Sequence, residues 1–304
     1  MSARVVGIGA CVMDTLVTVP YYPPEDTKLR ALGTKVAGGG PAATGIVGAA
    51  KLGVSAGFIG VLSDDSAGRF LKADFERFGV ETEHITVEHG YRPFTSTIWL
   101  SGEKATRTCV FDKGDLPPLR LNDGQKKAVA EAEILMIDGN EMDGAEEACR
   151  IARENGTKVL YDCGGLYEGV ERLLRLTDYM IPSEEFALRH TGCGTAEDAA
   201  KRLMELYHPL LVVITQGKRG GIYYDGQEII PYPAFPVNAV DTNGSGDVFH
   251  GAFAAGLVRG FPPKKCCIYA SAVSAIKCTK LGARESVPNH ETAIKFVKEN
   301  GYEL

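Results

Sequence analysis

An α/β fold with a mostly parallel central sheet flanked by helices, plus a small β-sheet lid, is predicted by three observations. Short β-rich runs alternate with helix-period segments through most of the 304 residues, the order that builds a parallel sheet covered by helices. The strand-to-helix turns carry Gly or acidic residues at the strand C-termini, which is where open α/β sheets bind ligands. Two regions, 15–36 and 91–111, break that rhythm with alternating apolar and polar residues, which predicts strands of a separate small sheet with one face toward a substrate.

The elements follow in order. Residues 5–10 read as the first strand, and 41–52 as a helix stopped by Gly53. A second strand spans 56–61, and a helix spans 66–78 and ends at Gly79. The lid pattern is clearest in Phe94-Thr95-Ser96-Thr97-Ile98-Trp99-Leu100, followed by a Ser101-Gly102-Glu103 turn. Further on, strands are predicted at 134–138, 158–162, 179–181 and 210–215, with a helix at 144–154. A chain of this length fits one large α/β unit or two small ones. No long linker, low-complexity stretch or internal repeat divides it.

Bulk properties exclude several classes of function. Hydrophobic residues make up 44% and charged residues 24%, ordinary for a globular protein with ample core. The net charge of −6 argues against a nonspecific nucleic-acid binder, which needs a basic surface to track phosphates. An anionic substrate needs only a local positive cluster and stays open. No run approaches the roughly 20 apolar residues that span a bilayer, and Met1-Ser2-Ala3-Arg4-Val5 enters a strand without a signal-peptide layout. The eight cysteines are scattered, with only Cys266 and Cys267 adjacent. That pattern argues against a zinc site and for a reduced, cytoplasmic location. Gly7-Ile8-Gly9 lacks the third glycine and the later acidic residue of a dinucleotide fingerprint.

The most informative stretch is Asp241-Thr242-Asn243-Gly244-Ser245-Gly246-Asp247-Val248-Phe249, which follows an extended apolar segment at 235–240. Gly244 and Gly246 allow a tight turn that brings backbone N–H groups close to a ligand. The helix that follows adds the positive end of its dipole and unpaired donors, which together form an anion site. Asp247 is then a carboxylate beside an anion hole, suited to taking a proton from a hydroxyl that attacks phosphorus. The alternative is a Gly-rich turn with Asp as a helix N-cap. A second turn motif, Thr215-Gln216-Gly217-Lys218-Arg219-Gly220, follows an apolar strand; its alternative is a β-hairpin turn into Gly221-Ile222-Tyr223-Tyr224. His250 lies three residues after Asp247 on the same helix and reads as a packing or polar-lining residue.

With Ala37-Gly38-Gly39-Gly40-Pro41-Ala42-Ala43 and the segment from Leu281-Gly282-Ala283 through Ser286-Val287-Pro288, these motifs stand in one order along the chain. In that order and spacing they resemble the signatures of the ribokinase-like carbohydrate kinases, the phosphofructokinase B family. The resemblance covers the whole chain and implies a single ribokinase-like domain over 1–304, of three layers, with the two lid segments inserted in it. It implies transfer of the γ-phosphate of ATP, with Mg2+, to a primary hydroxyl of a sugar. In that reading Asp247 is the general base, with Gly244, Ser245 and Gly246 as anion hole. Thr215, Gly217, Gly220 and Gly246 contact the nucleotide.

On the sugar side the resemblance implies Asp14, accepting from two adjacent hydroxyls; a solvent-facing turn aspartate is the alternative. Gly38, Gly39 and Gly40 are expected to allow close approach of the substrate. Ala43 stands where the family usually has a sugar-binding Asn. Asp138 matches an acidic residue near the sugar, and Arg107 is a contact for an anionic group or, alternatively, a solvated strand residue. The family's Asn-x-x-Glu motif is replaced by Ser183-Glu184-Glu185-Phe186. Glu184 or Glu185 is therefore the candidate Mg2+ ligand, or both are first-turn residues stabilising the helix dipole. Asp241, Gly282 and Ser286 resemble the monovalent-cation site of potassium-activated relatives, so K+ is a further candidate. A homodimer through the lid is expected. Asp138-Gly139-Asn140 and Ser183–Phe186 resemble the ketohexokinase and sulfofructose kinase branch, which favours a keto-sugar. Nucleoside or 2-keto-3-deoxygluconate kinases are the alternatives in the same class, and a catalytically silent sugar-binding sensor is the alternative outside it.

Overall fold

A computed structural model describes residues 3–103 and 106–304. Met1 and Ser2 of the N-terminal segment, and Lys104 and Ala105 of the 91–111 stretch, lie outside the described residues. The chain opens with β1 (Val5–Ile8), β2 (Val12–Val19), β3 (Gly33–Gly39), α1 (Pro41–Lys51), β4 (Ala56–Ser63) and α2 (Ser66–Arg77). Then come β5 (Ile85–Glu88), β6 (Thr95–Ser101), β7 (Arg107–Asp112), α3 (Asp123–Glu131), β8 (Ile134–Ile137) and α4 (Met142–Asn155). After β9 (Lys158–Cys163), the single turn α5 (Glu171–Leu174) and β10 (Tyr179–Pro182) come two helices, α6 (Glu184–Thr191) and α7 (Ala196–Tyr207). The chain ends with β11 (Leu211–Thr215), β12 (Gly221–Tyr224), β13 (Ile229–Tyr232), α8 (Ser245–Val258), α9 (Pro263–Cys278) and α10 (His290–Glu299).

Among the described residues, nine strands form the main sheet in the order β13-β12-β11-β10-β9-β8-β1-β4-β5. From β11 to β5 every pairing is parallel; β12 and β13 close one edge as antiparallel strands. The buried strands read as continuous apolar runs because both faces are covered. In β8, Ile134 and Met136 enter one core with Ile46, Phe253 and Tyr269, while Leu135 and Ile137 enter the other with Val129 and Leu203. The first core lies under α1, α8 and α9, the second under α3, α4 and α7. Of the described residues, no helix is long and apolar enough to cross a membrane.

The two rhythm-breaking regions build a second sheet, in the order β3-β2-β6-β7. Leu16, Ala37 and Ile98 form its small core. Its connections fix its position: β2 begins four residues after β1 ends, and β3 ends two residues before α1 begins. The small sheet therefore stands at the C-terminal ends of the main strands, where the strand-to-helix turns gather.

Several predicted bounds shift. The first strand stops at Ile8, which leaves Gly9 and Ala10 in the turn, and the helix predicted at 144–154 begins at Met142. The 235–240 stretch joins no sheet. The alternative for the Thr215–Gly220 turn is correct locally, since it links β11 to β12 as an antiparallel pair. β5 and α3 were not predicted, although an Asn122–Gln125 capping box marks the start of α3.

Candidate active site

The loop 241–244 and the first turn of α8 form the centre of the site. Gly244 is the N-cap of α8 with φ +74°, and a Cβ there would stand 2.6 Å from the Ala283 methyl; glycine meets both demands. α8 is brought deep into the fold by close packing on α1, where a Cβ on Gly251 would stand 1.9 Å from the Gly45 carbonyl. Gly246 and Asp247, in the first turn, have no intrahelical acceptor for their N–H groups. The Ser245 N–H is turned inward, donating to the Thr242 carbonyl at 3.2 Å. The cradle open to an anion therefore rests on Gly246 and Asp247 more than on the expected Ser245.

Asp247 lies half-buried beside this cradle. Burial pushes its carboxyl above the usual carboxylate range, against the pull of His250, Arg107 and Lys277. Asp14 is near enough that Asp247 raises its pKa too, although desolvation is the main cause. Asp14 Oδ1 accepts the Ser96 hydroxyl at 2.6 Å, a contact between neighbouring strands of the small sheet. Arg107, on the same sheet, reaches down to donate to Asn243 Oδ1 at 2.5 Å. That bond ties the small sheet to the 241–244 loop.

On the nucleotide side, Thr215, Gly217 and Gly220 share a cavity of about 510 Å³ with Ser245, Gly246 and Phe249. Both turn motifs therefore line one space. A second cavity, about 360 Å³, opens where Gly9 and Ala10 leave β1 and is also lined by Lys113 and Asn140.

The three glycines before α1, expected to allow close approach of the substrate, are required by their own surroundings. A Cβ at Gly38 would meet Arg284 Nη1 at 2.0 Å, one at Gly39 would meet Asp14 Oδ2 at 2.0 Å, and one at Gly40 (φ +96°) the Ala10 carbonyl at 1.9 Å. Each makes room for the protein's own groups. Ala43 also needs correction as a substrate contact: it is fully buried in the core beside Ala42 and Ile46 and offers no polar atom. Asp138 is 2% exposed and its carboxylate is saturated. It accepts from the N–H groups of Ala10 and Ala42, both at 3.0 Å, and from the Asn140 backbone and side chain at 2.9 and 3.1 Å.

The carboxylates considered for Mg2+ are engaged elsewhere. Glu184 accepts from Gln216 Nε2 at 2.7 Å and pairs with Arg219, tying α6 to the Thr215–Gly220 turn. Glu185 is exposed and pairs with Arg189 one helical turn on. The residues considered for a monovalent cation do not fit one. Asp241 Oδ1 accepts the Asn243 N–H and Oδ2 the Gly282 N–H, both at 2.8 Å. Its carbonyl accepts from Lys277 Nζ at 2.7 Å, and the Ser286 hydroxyl donates to Leu281 O at 2.8 Å.

Three buried groups escaped the sequence reading. Asp162, at the end of β9, faces His250 at 3.3 Å, and burial pushes its carboxyl up to about 7 against the pull of the imidazole. His250 touches two carbonyls, Gly246 O at 2.7 Å and Ile181 O at 3.0 Å, pinning the first turn of α8 to β10. Arg284 is 1% exposed and joins Asp74 at 2.8 Å to Gly39 O at 2.8 Å. Lys277 lies in α9 on the same face as the buried Tyr269 and Val273.

Comparison with known proteins agrees with this geometry. The pfkB family carbohydrate kinase profile matches residues 2–290. A ribokinase of Haemophilus influenzae is 26% identical over 96% of this chain and 97% of its own length. A 5-dehydro-2-deoxygluconokinase of Bacillus velezensis is 28% identical over 97% and 94%. Among solved structures, Arabidopsis thaliana ribokinase, complexed with ribose and ATP, superposes with a TM-score of 0.87 at 23% identity, covering 98% of this chain and 99% of that one. The site and fold define a phosphotransferase with an alcohol as acceptor. The chain belongs to the pfkB family of carbohydrate kinases, with the ribokinase-like fold.

Proposed function

We propose that this kinase transfers the γ-phosphoryl group of MgATP to a primary hydroxyl of a keto-sugar, with Asp247 as general base. Phosphoryl transfer asks the protein for position and charge neutralisation more than for covalent chemistry. The nucleotide occupies the cavity of Thr215, Gly217 and Gly220, and its terminal phosphate points at the N-terminus of α8. The sugar lies on the opposite side, beneath the small sheet and beside Asp14. Its hydroxyl oxygen bonds to the γ-phosphorus as the bond from phosphorus to the β–γ bridging oxygen breaks. The hydroxyl proton passes to Asp247, and ADP leaves with the bridging oxygen. The N–H groups of Gly246 and Asp247 meet the developing charge. Mg2+ bound with the nucleotide would supply neutralisation of the phosphate charge. Arg107 adds a positive charge from the lid.

The observation that carries this reading is the place of Asp247: next to Gly246, which lines the glycine-turn cavity, and near enough to Asp14 to raise its pKa. The keto-sugar is supported by the resemblance of Asp138–Asn140 and by a relative named for a keto-sugar acid. Ribokinase relatives keep aldopentoses on the panel. An ADP-release assay across ketoses, aldoses, sugar acids and nucleosides tests the assignment. Turnover on a ketose or keto-acid supports it, turnover only on nucleosides or aldoses overturns the substrate, and sugar binding without ADP release favours the sensor. The domain is a single unit over 1–304 with the small sheet as its lid. The exposed face of that sheet, with Val36, Trp99 and Val110, supports a homodimer through it.

A further inference from the structure

Lys277 is the one lysine among the described residues whose side chain is fully buried, at 0% exposure. Lysines normally extend along apolar surface to keep the ammonium in water, and a buried charge is costly unless paired. This ammonium donates to the Asp241 carbonyl at 2.7 Å and lies 3.9 Å from Asp241 Oδ2. The surrounding groups are organised about the same point. The last turn of α9 accepts the N–H groups of Val240 and Asp241 on one carbonyl, Cys278 O, at 2.8 and 3.1 Å. The Asp241 carboxylate bridges Asn243 N–H to Gly282 N–H. The titratable groups facing the ammonium are Asp241, Asp247, Cys278 and, from the lid, Arg107.

An ammonium ion and a potassium ion are similar in size and charge, and both are satisfied by carbonyl and carboxylate oxygens. Of the groups that the sequence offered to a monovalent cation, Asp241 thus already faces a positive charge supplied by the chain. Through its bond to the Asp241 carbonyl, that charge anchors the start of the loop leading to the anion cradle. We propose that Lys277 is a positioning residue that serves as a tethered cation for the 241–246 loop, making turnover independent of potassium. Burial lowers the ammonium pKa, while Asp241 and Asp247 oppose that fall. The inference rests on the kinase reading of the loop.

The test compares KCl, NaCl and choline chloride at equal ionic strength, first by the thermal midpoint of the wild-type protein without substrate. No potassium-specific shift is expected, and a shift confined to KCl overturns the inference. Turnover on whichever sugar is accepted should agree across the three salts within about twofold, and activation by potassium of about tenfold or more overturns it. Lys277→Ala should lose about tenfold or more of kcat in choline chloride with little change in sugar KM. Potassium or ammonium should restore much of that loss and choline should not. Wild-type turnover of Lys277→Ala in choline chloride, or a loss that no small cation repairs, counts against the proposal. If the variant does not fold, the wild-type salt series decides. Absence of phosphorylation on every sugar sinks the kinase reading, and the thermal series still decides the role of Lys277.

Discussion

The Oδ2 atom of Asp138 accepts the N–H of Ala42 at 3.0 Å, so the end of β8 holds the first turn of α1. The same oxygen holds Ala10 at the end of β1, at 3.0 Å. One carboxylate therefore closes the turn that carries Gly38–Gly40 onto the ends of two neighbouring strands. Its four accepted bonds fill the capacity of a carboxylate, which explains how it stays buried beside an apolar core.

Asp138→Ala is expected to destabilise the fold by at least about 3 kcal/mol, because several buried N–H groups lose their acceptor at about 1–3 kcal/mol each. Urea unfolding measures the loss. In the folded fraction, sugar KM should rise more than ATP KM, because the loosened turn lies on the sugar side. Equal effects on both would place Asp138 outside the sugar-side framework.

Asp247→Asn should lower kcat by roughly 10²- to 10⁴-fold, the range for removal of a general base. ATP and sugar should still bind, as calorimetry would register. The wild-type pH profile carries the same role. Burial raises the Asp247 pKa, and a base works only when deprotonated, so kcat/KM should fall on the acid side. That limb should lie above the ~3.9 of an ordinary aspartate. The residual rate of Asp247→Asn should lack the limb. A variant that keeps both the rate and the limb removes Asp247 from the chemistry.

Much of the scaffold was legible because its strands are dense apolar runs bounded by Gly or acidic residues. β1, β4, β8, β9, β10 and β11 fall within two residues of their predicted bounds, and α1 and α2 within one. The 244–246 turn was read as ligand-facing from its chemistry and the 215–220 turn from the family resemblance; the two line one cavity. What was not legible depends on contacts between distant segments. Nothing local tells that Gly38 makes room for Arg284, since the partner lies at the other end of the chain. Asp138 looked like a sugar ligand because its type and place fit, whereas its saturation depends on Ala10 and Ala42. α9 is buried on nearly every side, so it offers no amphipathic stripe; Lys277 was a charged residue in such a helix, the kind of exception that a composition-based reading passes over.

Arg284 and Asp74 form a buried pair at 2.8 Å, and the same guanidinium donates to Gly39 O. Breaking one side of such a pair leaves an uncompensated charge, so Arg284→Met should cost about 3–5 kcal/mol. Asp74→Asn should cost at least as much, because it leaves the buried Arg284 guanidinium without a counter-charge, whereas Asp74 keeps Arg77 at 2.7 Å in Arg284→Met. Denaturant midpoints of both variants check the order. A neutral Arg284→Met would mean that Gly38 and Gly39 hold their places without it.

The small sheet supplies the last expectation. β7 is exposed along its whole length, and Val110 and Phe111 are 69% and 61% exposed. With Val36 and Trp99 they leave apolar groups on a sheet that has only a small core of its own. Exposed apolar surface of this kind, next to an unpaired edge strand, favours association. A second copy of the same sheet would cover it with closed two-fold symmetry. The wild-type protein should therefore sediment near twice its 32.6 kDa chain mass. Val110→Glu combined with Trp99→Glu, on one face of the sheet, should sediment as a monomer, because a charge desolvated in an apolar interface is costly. Because Arg107 and Asp14 stand on this same sheet, the monomer should also show a raised sugar KM with ATP KM little changed. A wild-type monomer at micromolar concentration, or a double variant that stays dimeric, would leave the lid face without this role.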